Sequence, residues 1–141
     1  MFLGEFEYRV DEKGRVPLPP KFRQELRDGL VLTAGPENCI VGYSGAEWEK
    51  LSASLTGGSV APSKMRRLRR ALFSSAFNLS PDGQGRIPLP QVLRDHAGIK
   101  DEVVVAGANT YFEVWNRQQW QSEKAISREQ AWQIIESIEQ H

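Results

Sequence analysis

The sequence predicts an α+β fold built from two tandem ββαββ modules, and three observations point there. Gly-Arg-Val-Pro-Leu-Pro at 14–19 returns as Gly-Arg-Ile-Pro-Leu-Pro at 85–90, differing only by Ile for Val. An aspartate stands at the same interval before each arginine, Asp11 before Arg15 and Asp82 before Arg86, and Phe6 and Phe77 share one offset. The likeness extends to a common helix start, Ser44-Gly-Ala-Glu-Trp48 in the first half and Asn116-Arg-Gln-Gln-Trp120 in the second. Similarity at a fixed spacing is the mark of a duplicated structural unit.

In the first half, residues 2–10 interleave Phe2, Phe6 and Tyr8 with Glu5, Glu7 and Arg9, the alternation of a strand with one apolar face. Asp11-Glu-Lys-Gly14 reads as a turn, since the aspartate can accept local backbone N–H groups and the glycine can take positive φ. The chain is expected to return as a short strand at 15–18, which its prolines place at an edge or end quickly. Pro19-Pro20 suits the first turn of a helix, with Phe22 and Leu26 on one face and Gly29 as its stop. Strands at 31–33 and 40–43 follow, joined by Ala-Gly-Pro-Glu-Asn. Ser44 and Glu47 have capping-box spacing and open a helix carrying Trp48 and Leu51.

Residues 52–62, rich in Ser, Gly, Thr and Pro, read as a linker. A helix over 63–73 places Met65, Leu68 and Leu72 on one stripe and most of its arginines off it. The second half repeats the first: a strand at 75–79, a turn at 81–85, a strand at 86–89, a helix from Pro90 that Gly98 stops, and strands at 102–106 and 111–115. Ser127-Arg-Glu-Gln130 has the spacing of a further capping box, starting a helix with Ala131, Ile134, Ile135 and Ile138 on one seam. That seam suits core packing or a subunit contact. The expected organisation is a module at 5–47, a helix, linker and basic helix at 48–75, a second module at 76–119, and a C-terminal helix at 120–141.

Composition limits the function classes. The 141 residues would ordinarily form one domain. Repeats of roughly 45 residues are too small to bury a core alone, so the halves should pack together or onto other subunits. Lys+Arg and Asp+Glu are equal at 18, which argues against a chain coated in positive charge but allows a local basic face. A single cysteine, Cys39, leaves no intramolecular disulfide and fits a reducing compartment. It reads as a small apolar filler, and His96 as a helix-dipole partner. The acidic N-terminus lacks the pattern of a secretory signal, and no stretch approaches membrane-spanning length. A cytoplasmic protein is expected. The scattered histidines and cysteine offer no metal-ligand spacing, and Gly83-Gln-Gly85 lacks a dinucleotide-binding context. Neither an enzyme nor a cofactor is expected.

A ββαββ module with Asp-x-x-x-Arg on its first hairpin and prolines in its second strand resembles the AbrB/SpoVT-type swapped-hairpin domains. Two such modules in a chain beginning Met-Phe-x-Gly are similar to the MraZ family of bacterial transcriptional regulators. The residues carrying the resemblance are Met1, Phe2 and Gly4, Asp11 with Lys13-Gly14-Arg15, Asp82 with Gly85-Arg86, and Phe112-Glu-Val-Trp115. It covers nearly the whole chain. It implies two AbrB-like modules interleaved into one pseudo-twofold β-barrel with flanking helices. It further implies a ring-like homo-oligomer that binds repeated sites in double-stranded DNA, in the promoter of the division and cell-wall gene cluster, and hence a nucleoid-associated protein with no small-molecule substrate. The chain departs from the family in having Pro17 where a non-proline residue is usual. Its second hairpin has Gln84 where the first has Lys13.

The candidate DNA-binding residues are Lys13, Arg15, Gln84 and Arg86, with Asp11 and Asp82 positioning the arginines. A two-stranded ribbon fits the major groove, and the arginine fork can bond guanine O6 and N7 together. Arg15 and Arg86 could equally do no more than pin their hairpins by pairing with those aspartates. The cluster Lys64, Arg66, Arg67, Arg69 and Arg70 suits phosphate contact, a solvated face or inter-subunit ion pairs. An alternative function is that of an antitoxin-like or scaffolding module whose hairpins bind a protein.

Overall fold

The computed structural model describes residues 1–139 except 56, 57 and 59. Its element order is β1 (Glu5–Arg9), β2 (Arg15–Pro17), α1 (Pro20–Arg23), β3 (Leu30–Ala34), β4 (Ile40–Ser44), α2 (Gly45–Ser54), α3 (Pro62–Ser74), β5 (Phe77–Leu79), β6 (Arg86–Pro88), α4 (Gln91–Ala97), β7 (Glu102–Gly107), β8 (Phe112–Asn116) and α5 (Arg117–Glu139). The run ββαββα thus occurs twice, with α3 between.

Strand pairing follows the repeat in a way that local alternation does not announce. An antiparallel sheet runs β1-β7-β8-β4-β3-β5, and a separate ribbon joins β2 to β6. The first strand of each half pairs with the third strand of the other: β1 with β7, from Glu5 opposite Ala106 to Arg9 opposite Glu102, and β5 with β3, from Leu30 opposite Leu79 to Leu32 opposite Phe77. The sheet is therefore symmetric about the β4–β8 junction, where Ile40 faces Val114. The sequence suggested that residues 15–18 return along the first strand. Instead β2 leaves β1 after the turn and pairs with its counterpart β6. Among the described residues no ladder joins β1 to β5, so the sheet is open at both edges rather than a hydrogen-bonded barrel.

Aromatic packing sits where the halves meet. Phe2 lies edge-on to Phe22 at 4.9 Å and to Phe112 at 5.5 Å between ring centroids, and Phe6 meets Phe22 at 5.5 Å. Such pairs add to the stabilisation from burial alone. Around them are buried Leu18, Leu26, Leu30, Ile87 and Leu93 from both repeats. Gly42 on β4 leaves room for Phe112, whose ring lies 2.2 Å from where a methyl group on that glycine would stand.

The helices follow the sequence signals with two revisions. Ser44 Oγ accepts the Glu47 N–H, and Asn116 Oδ1 accepts the N–H groups of Gln118 and Gln119, so both expected starts are capped. Helix α1 is shorter than its apolar spacing suggested, ending at Arg23, with Leu26 buried in the turns that follow. Of the expected linker, residues 52–54 continue α2, while 56, 57 and 59 lie outside the described residues. The capping box at Ser127 does not start a helix. With no glycine or proline to break it, α5 runs through that point, and Ser127 Oγ donates to Glu123. Nor does its isoleucine seam enter the core, for Ile134 is 54% and Ile138 68% exposed, beside Trp132 at 72%. Residues 140 and 141 lie outside the described residues.

Truncating Phe22 to alanine removes the ring that touches Phe2, Phe6 and Phe112, and is expected to cost about 3–5 kcal/mol. Guanidinium chloride unfolding with an unchanged slope checks this, and a loss below 1 kcal/mol would mean the cluster is not central. Gly42→Ala should also destabilise, because overpacking of about 1–3 kcal/mol is added with no cavity to absorb it.

Candidate nucleic-acid interface

The two conserved-spacing turns, 11–15 and 82–86, are built alike. In the first, Gly14 N–H donates to Asp11 O and Asp11 N–H to Arg15 O, while Asp11 Oδ1 accepts the N–H groups of Lys13 and Arg15. In the second, Asp82 makes the same bonds with Gly85, Arg86 and Gln84. The other carboxylate oxygen takes the guanidinium: Arg15 Nε to Asp11 Oδ2 and Arg86 Nε to Asp82 Oδ2, both at 2.8 Å. Glycine is required at 14 and 85, where φ is +77° and +76°. The backbone N–H of each arginine, first among these bonds, holds the aspartate carboxyl below the usual carboxylate range.

Ribbon pairing decides which way the arginines face. Arg15 lies opposite Pro88, Val16 opposite Ile87 and Pro17 opposite Arg86. Leu18 N–H donates to Gly85 O and Leu89 N–H to Gly14 O, each at 2.8 Å. Hydrogen-bonded and non-bonded pairs alternate in an antiparallel ladder. Both prolines therefore fall at non-bonded pairs, where a missing N–H is not missed. Val16, Leu18, Ile87 and Leu89 face the core and are buried. Arg15, Pro17, Arg86 and Pro88 occupy the opposite face. The side chains of Arg15 and Arg86 are 27% and 29% exposed, so they lie along the surface rather than inside it. Arg15 also comes within 3.9 Å of Asp82, which therefore sits between both guanidinium groups. Lys13 and Gln84, at the turn tips, are exposed.

Two further arginines belong to this assembly and were not singled out in the sequence. Arg23 Nε donates to Leu18 O at 3.0 Å, and Arg94 Nε to Leu89 O at 2.8 Å. Each lies against the turn of the other repeat: a methyl group on Gly85 would come within 2.5 Å of Arg23 Nε, and one on Gly14 within 3.0 Å of Arg94 Nη2. Their signal was legible, since each stands at the same offset after a hairpin arginine, 15 then 23 and 86 then 94.

A family model described as "MraZ protein, putative antitoxin-like" matches residues 1–70 and again 72–136. The chain belongs to the MraZ family. It is 57% identical over 142 residues to a transcriptional regulator MraZ of Dehalococcoides mccartyi, covering 100% of both chains. It is 43% identical over 138 residues to that of Frankia alni, covering 98% of this chain and 96% of the relative. With that of Roseiflexus castenholzii it shares 42% over 122 residues, 86% and 85% of the two chains.

Not every candidate of this MraZ-family chain joins the ribbon. Lys64, Arg66, Arg67, Arg69 and Arg70 are exposed on α3, which enters β5 from the end opposite the Asp82 turn. Arg69 is engaged there, its guanidinium 5.3 Å from the centroid of the Phe73 ring and its Nη1 donating to Leu55 O. Cys39 is fully buried beside Val41 and Trp115, and burial pushes its thiol well above the ordinary range. Its Sγ, with carboxylate oxygens of Glu37 and Glu113, forms a group within 4.8 Å. Trp115 Nε1 donates to Glu113 there, and burial raises the Glu113 carboxyl. His96 lies in the last turn of α4, where a helix-dipole partner is expected, and its Nε2 also donates to the carbonyls of Gly35 and Glu37 in the first half. Among the described residues no helix is long and apolar enough to cross a membrane.

The turn geometry sets a pH dependence. Because the folded values of Asp11 and Asp82 are depressed, their contribution is present above the ordinary carboxylate pKa and is lost as pH falls through the depressed values. NMR amide signals of Lys13, Arg15, Gln84 and Arg86 should move with a midpoint more acidic than that of an ordinary aspartate. Movement centred near an unperturbed aspartate, about pH 3.9, would show that the turn bonds are not persistent.

Proposed function

We propose that this chain is a transcriptional regulator that binds double-stranded DNA with the outer face of the β2–β6 ribbon. The observation that carries the reading is the alternation in that ribbon, which sends Val16 and Ile87 inward and Arg15 and Arg86 to the surface from neighbouring strands. Diagonal neighbours on one face of a two-stranded ribbon suit insertion into a major groove, where each guanidinium fork can bond one guanine. Asp11 and Asp82 hold the forks in place and leave outer N–H groups to donate. Lys13 and Gln84 flank them at the turn tips. The pinning role and the reading role of the arginines are thus one arrangement. The relatives' name, transcriptional regulator MraZ, supports the same conclusion.

The DNA would be repeated sites in the promoter of the division and cell-wall gene cluster, as the family resemblance implies, read by a cytoplasmic, nucleoid-associated ring of identical subunits whose repeats form the two modules delimited above. Multiplying one modest site around a ring would answer the balanced charge of the chain, because linked weak sites raise overall affinity when geometry lets them bind together. The exposed Ile134 and Ile138, one turn apart on α5, supply an apolar surface for subunit contact. The basic face of α3 would lie nearer to flanking phosphates or to neighbouring subunits than to the bases. A second reading, an antitoxin-like module that binds a protein, is favoured by the wording of the matched family model.

Gel shifts across a salt series separate the two. Steeply falling affinity for upstream DNA supports the first reading, and indifference to DNA with capture of a protein supports the second. Arg15→Ala should cost about 1–3 kcal/mol of discrimination at the base it reads, with the far-ultraviolet circular dichroism unchanged. Loss of the fold in that variant would make pinning its main role. Light scattering of Ile134→Ser/Ile138→Ser should give a smaller mass than the unaltered chain. An equal mass would remove α5 from the assembly.

A further inference from the structure

We propose that Arg23 and Arg94 form a second pair of DNA-contacting guanidinium groups, binding phosphates beyond either end of the ribbon and not reading bases. The proposal rests on the DNA-binding reading of the ribbon and names a source of positive charge for phosphates that the turns do not supply, since Lys13, Arg15 and Arg86 are matched there by Asp11, Glu12 and Asp82. Arg15 and Arg86 cannot be that source, because each is paired with an aspartate of its own turn at 2.8 Å. Their forks can still select a base, but their charge is largely offset where it lies. Among the described residues, neither Arg23 nor Arg94 takes part in an ion pair. Their Nε atoms are used, bonded to Leu18 O and Leu89 O, and this fixes where each planar group lies. The outer nitrogens of a group fixed in this way are pre-oriented donors, which lowers the ordering cost of binding a phosphate.

Their position is related by the repeat. Each arginine sits on a short helix directly after one ribbon strand and rests on the glycine turn of the other repeat, Arg23 on Gly85 and Arg94 on Gly14. The two groups therefore bracket the ribbon at its opposite ends, beside the turn tips that carry Gln84 and Lys13. A ribbon set across a groove has a phosphate backbone beyond each of its ends, and phosphate contacts set register without carrying sequence information. The crossing also accounts for glycine at 14 and 85 beyond its positive φ, since a side chain there would displace the guanidinium.

The test compares the unaltered chain with Arg23→Gln/Arg94→Gln and Arg23→Lys/Arg94→Lys, all full length. Each is titrated over a salt series with duplex DNA from immediately upstream of the encoding gene cluster and with a random-sequence duplex. The glutamine pair should bind both duplexes more weakly by the same factor, roughly tenfold or more per lost contact. The slope of log affinity against log salt should become shallower by about 0.9 for each contact. The ratio between the two duplexes should stay put, and the lysine pair should recover most of the slope. An unchanged slope, or a change confined to the ratio, overturns the proposal. Should the glutamine pair lose its circular dichroism signal, the lysine pair decides: a retained slope supports phosphate contact, and a lost one refutes it. Failure of the unaltered chain to bind either duplex is a different result, which removes the DNA-binding reading itself.

Discussion

Pairing between β2 and β6 is the constraint on which the rest depends. Three residues on each side suffice because the register is over-determined. The prolines tolerate only the non-bonded positions, and the Leu18–Gly85 and Leu89–Gly14 bonds close the ribbon at both ends. A slip of one residue would turn Val16 and Ile87 outward, bring Arg15 and Arg86 into the core, and place prolines where N–H groups are needed. Burial of four aliphatic side chains on one face therefore secures the outward position of two charged ones on the other. Stability and surface chemistry share a single register.

Much of this was legible in the chain. The repeated hexapeptide marked the duplication, the Asp-x-x-x-Arg spacing marked the turns, and Ser44 and Asn116 marked two helix starts that are capped as expected. What was not legible was partnership. Alternation in residues 2–10 says that a strand exists and which side is apolar, but the β3 and β7 strands of both halves are equally apolar. Only the assembled sheet shows that β1 takes the one from the other repeat. Ser127 misled for a related reason: a capping residue is favoured at a helix start but can stand inside a helix when nothing breaks the chain before it. Arg23 and Arg94 were overlooked because each looks, alone, like an ordinary basic residue near a helix end. Their meaning lies in the contact across the repeat.

The cross-repeat contacts also place two guanidinium groups, Arg23 and Arg94, beside the turns and outside the ion pairs of the described residues, although the chain carries no net charge. Acidic residues are spent elsewhere: Glu5 on Lys124 and Trp120, and Glu102 on Arg117 and Arg9. In the ribbon turns, Asp11 and Asp82 accept backbone amides and orient arginines. The surface there is a fixed pattern of donors rather than a diffuse cloud of charge. Patterned donors favour discrimination among ligands, whereas diffuse charge favours any polyanion.

Duplication within one polypeptide leaves freedom that two identical chains would lack. In a homodimer of one repeat, a substitution on one turn would appear on both. Here Lys13 and Gln84 occupy equivalent turn tips and differ in charge, and Arg15 reaches Asp82 at 3.9 Å with no matching ion pair between Arg86 and Asp11 among the described residues. The backbone thus keeps the symmetry that holds the ribbon in register, while the side chains on its outer face depart from it. On the proposed reading, an approximately two-fold surface with unequal halves would suit a DNA site whose backbone is two-fold but whose bases are not. The core restrains the symmetry and the exposed positions are free of it, because only the inward residues of the ribbon must satisfy one another.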